Sequence, residues 1–124
     1  MLKRTHACND LRKTHDGSTV VLAGWVNTYR EHSKSLVFID LRDRRGLTQI
    51  VFDVADSPAE IVEIAQGLRR DDILAIRGVV RVRGGGANPK LDTGEIEVIA
   101  MELEVFNKAE TPPILPDDQE AEKM

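Results

Sequence analysis

The run TVVLAGWVNTYRE, from Thr19 to Glu31, is rich in branched residues and carries Gly24 in its middle. An interior glycine weakens a flat strand and marks a bend or bulge, so this long strand curls instead of lying in an open sheet. A strand that curls in so short a chain points to a small barrel. Two more strands follow at once. SLVFIDLRD (35–43) and LTQIVFD (47–53) are joined through a tight RRG connection, and they pair as a hairpin in which Gly46 takes the positive φ.

The next segment, SPAEIVEIAQGLRR (57–70), is the one clear helix. Ser57 reads as its cap, Pro58 as its first helical residue and Glu60 as the far half of a capping box. Ile61, Ile64, Ala65 and Leu68 recur at helical spacing and form the face that packs on the sheet. DILAIRGVVRVR (72–83) and EIEVIAMELEV (95–105) are the last strands, joined by GGGANPKLDTG. That loop has no Lys-Ser/Thr for a phosphate loop, and Pro89 stands where a dinucleotide fingerprint needs glycine, so it reads as a hairpin tip. Ahead of the first strand, residues 8–15 suit a short helix and DGS (16–18) a turn.

Three strands, a helix and two strands in about 100 residues are the order of an all-β fold with one helix. A five-stranded Greek-key barrel with its helix between strands 3 and 4, the OB arrangement, has this order, and other small β-rich folds tolerate it too. The chain of 124 residues, 41% hydrophobic, has room for one modest core. No apolar run is long enough for a membrane span or a signal peptide, which suggests a cytoplasmic protein with no membrane partner. Cys8 is the single cysteine and reads as a surface or half-buried thiol; His6, His15 and His32 complete no ligand spacing with it, so no metal is expected.

The net charge of −4 is unevenly spread. Residues 1–94 hold 15 Lys+Arg against 12 Asp+Glu, and residues 95–124 hold 2 against 9, so the acid belongs mostly to the end of the chain. Most arginines fall between Arg42 and Arg83, and arginine suits phosphates and base edges. No nucleophile elbow, zinc-protease motif or phosphate loop is present, so the chain reads as a binding module and not a catalyst.

On 35–43 a period of two turns Val37, Ile39 and Leu41 inward and leaves Phe38 outward. With five aromatic residues in all, an outward one is informative: another element covers it, or it is a stacking platform for a base. Around it, Arg30 can donate a fork, Gln49 and Asn88 can donate and accept, and Glu97 can accept from the paired N–H donors of a guanine edge. Glu97 read blandly is the exposed side of a strand.

Several stretches, RTHACNDLR (4–12), LAGWVNTYREH (22–32), FIDLRDRRGLTQIVFD (38–53), TGEIEV (93–98) and FNKAETPP (106–113), closely resemble the N-terminal anticodon-binding domain of bacterial-type aspartyl-tRNA synthetase. The resemblance covers nearly the whole chain. It implies an OB-fold that grips the anticodon loop of tRNA-Asp. By position, Phe38 would stack on the middle anticodon base, with Arg30 and Gln49 bonding to bases near it and Glu97 reading the first base. Asn88 would contact the loop from the hairpin tip, and Arg69, Arg81 and Arg83 would hold backbone phosphates, contacts that position the RNA without specifying it.

It also divides the chain into an anticodon-binding domain, 1–106, and a linker, 107–124, toward a class II catalytic domain that is absent here. ATP, magnesium and aspartate belong to that absent domain, so the chain alone is expected to need no cofactor and to aminoacylate nothing. An excised domain is favoured over a free-standing paralogue that binds single-stranded nucleic acid or a protein. The isolated domain should be a monomer, and the full-length parent a homodimer. The chain departs from the family where it has Thr28 and Tyr29 in place of arginines, and Ser33-Lys34-Ser35 in place of paired glycines. The first change weakens phosphate contacts or substitutes a stacking ring. The second alters the turn beside the platform, which also holds His32, in a region that bears on acceptance of asparagine tRNA.

Overall fold

A computed structural model describes residues 2–83 and 93–107; residues 84–92 of the glycine-rich loop, with Asn88, and residues 108–124 lie outside the described residues. Strands β1 (Thr19–Ser33), β2 (Leu36–Asp43), β3 (Gly46–Asp53), β4 (Ile73–Val82) and β5 (Ile96–Asn107) close into a barrel in the order β1-β2-β3-β5-β4. A single helix, α1 (Ala59–Ala65), falls between β3 and β4. This is the five-stranded OB barrel that the element order suggests.

β1 serves two neighbours. Thr19–Trp25 pairs with β4, Trp25–Ser33 pairs with β2, and its pairing with β2 slips between Val26 and Thr28. The exchange of partners draws β1 tightly across the end of β2. A Cβ on Gly24 would sit 2.1 Å from the Arg42 carbonyl oxygen, so only glycine fits. At the far side, β3 and β5 meet in parallel over just Ile50↔Val98 and Val51↔Ile99. Inside, Leu22, Val37, Ile39, Leu41, Ile50, Phe52, Leu74, Ile76, Ile96 and Val98 are fully buried, as the period of two requires.

The helix differs from the sequence expectation in length, cap and face. It covers Ala59–Ala65 instead of 57–70, with Pro58 at the cap position and no side-chain cap. Ser57 is pulled back under the end of β3: its amide donates to Asp53 O at 2.6 Å, and its hydroxyl accepts from the Asp53 amide at 3.3 Å. That turn rotates the helix so that Val62, not Ile64, joins Ile61, Ala65 and Leu68 against the barrel; Ile64 is 49% exposed.

The N-terminal segment differs too. The expected helix over 8–15 is a 3-10 turn, Lys13–His15, preceded by a strap lying on the barrel. The Thr5 amide donates to Val21 O, the Cys8 amide to Asp43 Oδ2, and the Thr48 hydroxyl to Cys8 O. Cys8 is therefore fully buried, not a surface or half-buried thiol. Burial, reinforced by the Asp43 carboxylate, pushes its pKa well above the ordinary thiol range. Among the described residues no cluster of three or more His, Cys, Asp or Glu gathers as metal ligands, and no helix is long and apolar enough to cross a membrane.

Asp43 organises the β2–β3 turn. Its carboxylate accepts from the amides of Cys8, Arg45 and Gly46 at 2.8, 2.8 and 3.2 Å. Burial alone would raise its pKa, but these amide bonds outweigh it and hold the pKa below the usual carboxylate value. The stability this provides is fully present above the unfolded aspartate pKa of about 3.9 and is lost as pH falls through that value toward the lower folded one. Asp43→Asn is expected to cost about 2 kcal/mol at neutral pH and to flatten the acid limb of a urea-midpoint titration. An undiminished acid limb would assign that limb to other carboxylates.

Candidate nucleic-acid interface

Alternation along β2 sends Phe38 out of the barrel, opposite Arg30 on β1 and Val51 on β3. The ring lines an open depression of about 490 Å³ with Leu36, Val51, Asp53, Arg81, Val82 and Glu97. The residue is half-buried. His32 meets it edge-on, with ring centroids 6.4 Å apart and planes at 77°. The Ser33-Lys34-Ser35 turn is held by a bond from the Ser35 amide to Ser33 Oγ and one from Gln66 Nε2 to Lys34 O, which anchors it to the end of α1.

Beside the ring runs one continuous set of hydrogen bonds. The Arg30 guanidinium donates to Asp40 Oδ2 and to Gln49 Oε1, both at 3.1 Å. Gln49 Nε2 donates to Glu97 Oε1 at 3.0 Å. Arg81 donates through Nε and a terminal nitrogen to Glu97 Oε2, at 3.1 and 2.8 Å, and through its other nitrogen to Asp56 Oδ2 at 3.2 Å. All five strands contribute, so the polar groups are fixed relative to one another before any ligand arrives. Burial alone would lower the Arg81 pKa, but pairing with Glu97 and Asp56 raises it above its ordinary value.

Glu97 is 7% exposed, not the exposed side of a strand. Among the described residues it accepts three N–H bonds, one on Oε1 and two on Oε2, of about four that a carboxylate can take. A ligand presenting two donors, one to each oxygen, must displace one bond from Arg81.

Of the residues singled out by sequence, the fold brings Arg30, Phe38, Gln49, Glu97 and Arg81 together. Arg83 lies beside this group and donates through Nε to Ile96 O at 3.2 Å. Arg69 stands just before β4, and its amide donates to Asp72 Oδ2 at 2.8 Å. Asn88 lies outside the described residues. Tyr29 does not replace the family's arginines as a stacking ring: it packs against the core, and its hydroxyl donates to Gln66 O at 3.2 Å. Sequence reasoning missed Asp40 and Asp56. Asp40 shares the outward row of Phe38 and was legible from the period of two; Asp56 sits in a loop and gave no signal.

The family described as an OB-fold nucleic acid binding domain matches residues 20–106. An aspartate–tRNA(Asp/Asn) ligase from Anaeromyxobacter sp. (strain K) is 52% identical over 118 residues, which are 95% of this chain and 19% of that protein. One from Salinibacter ruber is 51% identical over 122 residues, 98% of this chain and again 19% of the relative. This chain thus spans about a fifth of the length of these relatives. The crystal structure of asparaginyl-tRNA synthetase from Pyrococcus horikoshii complexed with asparaginyl-adenylate superimposes with a TM-score of 0.72 at 29% identity, over 88% of this chain and 23% of that one.

Proposed function

Because the chain belongs to the family of OB-fold nucleic acid binding domains, as the N-terminal anticodon-binding domain of aspartate–tRNA ligases, we propose that its Phe38 face grips the anticodon loop of tRNA-Asp. The observation that supports this most directly is the juxtaposition of one outward ring with a prefixed row of donors and acceptors, Arg30, Gln49, Glu97 and Arg81. A splayed base stacks on the ring, and its neighbours meet the polar row. Phe38 takes the middle anticodon base, Arg30 and Gln49 take base edges beside it, and Glu97 takes the first base, a guanine. Arg69, Arg81 and Arg83 hold backbone phosphates, and Asn88 contacts the loop.

Aminoacylation is assigned to the parts of the ligase that this chain does not span. The test is binding to an aspartate anticodon stem-loop against one with an altered middle base. Preference for the first supports the reading. Equal binding points to a sequence-indifferent single-strand binder, and no binding at low salt points to a protein partner.

Glu97→Gln separates base reading from mere architecture. The amide keeps one carbonyl acceptor but loses the charge that faces Arg81 and the second acceptor oxygen. Discrimination between guanine and adenine at the first position is expected to fall by roughly tenfold, the scale of one charge-assisted hydrogen bond. Unaltered discrimination in a folded variant removes Glu97 from first-base recognition. Aspartate and asparagine anticodons share their first two bases, so Phe38 and Glu97 do not separate the two tRNAs; the similarity to aspartate–tRNA(Asp/Asn) ligases makes the asparagine stem-loop the natural third probe.

A further inference from the structure

Arg4, Arg44 and Arg45 enclose, with Ala23, Gly24, Trp25 and Asp43, a second open depression of about 580 Å³ at the β2–β3 turn. None of these three guanidiniums makes a hydrogen bond or ion pair among the described residues. The acid in its lining is already committed, since the Asp43 carboxylate receives three backbone amides, and Asp10, in an adjoining depression with Arg4 and Arg45, accepts from the Ala7 amide. The bonds of Asp43 to the Arg45 and Gly46 amides hold the turn so that Arg44 and Arg45 project outward. Trp25 pairs with Arg42 across β1 and β2 and places its half-buried ring at the mouth.

This cluster continues a line begun at the first site. Phe38, Asp40 and Arg42 alternate outward along β2, and Arg44 follows at the turn, six residues or about 20 Å from Phe38. We propose that Arg4, Arg44 and Arg45 form a second subsite for the phosphodiester backbone of the same RNA, engaging phosphates several nucleotides from the stacked base. It rests on the anticodon-loop reading and extends it from the loop toward the stem. Unpaired guanidiniums around an open depression, with an aromatic ring at its edge, suit phosphates better than an apolar partner. Continuity with the Phe38 row favours RNA over an acidic protein segment.

The experiment measures affinity of the whole chain for an aspartate anticodon stem-loop over a series of salt concentrations, native against an R44A/R45A double variant. Both side chains are exposed and alanine keeps the Arg45 amide that Asp43 needs, so the variant folds. Losing two phosphate contacts is expected to reduce the slope of log affinity against log salt by about 1.4–1.8, with the preference for the native middle base intact. A Phe38→Ala variant should do the reverse, keeping the slope and losing affinity. Native discrimination with an unchanged slope in R44A/R45A overturns the proposal alone and leaves the cluster to an acidic protein segment. Failure of the native chain to discriminate between loops overturns the anticodon reading beneath it.

Discussion

Phe38→Ala is expected to weaken binding of an aspartate anticodon stem-loop by roughly 5- to 150-fold, the equivalent of about 1–3 kcal/mol of base stacking. The loss falls on affinity and not on the fold, because the ring lies outside the barrel while Val37 and Ile39, its neighbours in sequence, hold the inside. Phe38→Tyr and Phe38→Trp keep an aromatic face and should keep most of the affinity. Anisotropy titrations at fixed salt read the change, and thermal midpoints near native confirm that the barrel is intact. Undiminished affinity in a folded Phe38→Ala variant would falsify the stacking assignment, leaving the polar row as the sole source of recognition.

The second large effect is on the barrel itself. Gly24→Ala puts a methyl group 2.1 Å from the Arg42 carbonyl oxygen and 2.9 Å from its carbon. Both are backbone atoms on a paired strand and cannot swing aside as a flexible side chain does. β1 must part from the end of β2, where Trp25↔Arg42 begins the pairing. We expect a cost of about 3 kcal/mol or more, toward the upper end for an added core methylene, read as a lowered urea midpoint at unchanged slope. The same shift would move Arg42 and the turn after it, so the variant also disturbs the Arg44–Arg45 cluster. A native urea midpoint would mean that β1 crosses β2 with more room than 2.1 Å allows.

What the chain reveals before folding depends on how local the cause is. The inward row Val37, Ile39, Leu41 and the outward Phe38 follow from the pleat alone, and the bend at Gly24 follows from the cost of glycine in a strand. Arg30, Gln49 and Glu97 were legible as chemistry, residues able to read base edges, but not as partners. Their bonds join positions 19 and 48 residues apart and exist only once the barrel closes. Cys8 was misjudged for the same reason: it is covered because its amide meets Asp43, 35 residues on. At α1 one local signal lost to another, since the turn ending β3 ties Ser57 to Asp53 before the helix can use it as a cap. Ile64 fits the helical stripe as well as Val62 does; the turn before the helix chooses between them.

The parallel meeting of β3 and β5 gives the recognition face a mechanical side. Among the described residues two residue pairs close the hoop there, and Gln49 Nε2 donates a hydrogen bond to Glu97 across that same seam. If Glu97 reads the first base as proposed, the clasp of the barrel and that reader are one piece. RNA bound there in the proposed way would act as a bolt across the clasp, and by mass action whatever free energy the bolt gains on the closed form would be withheld from the opened one. A well-fitting loop therefore lengthens the life of the closed barrel, and a poor fit is felt as a looser hoop.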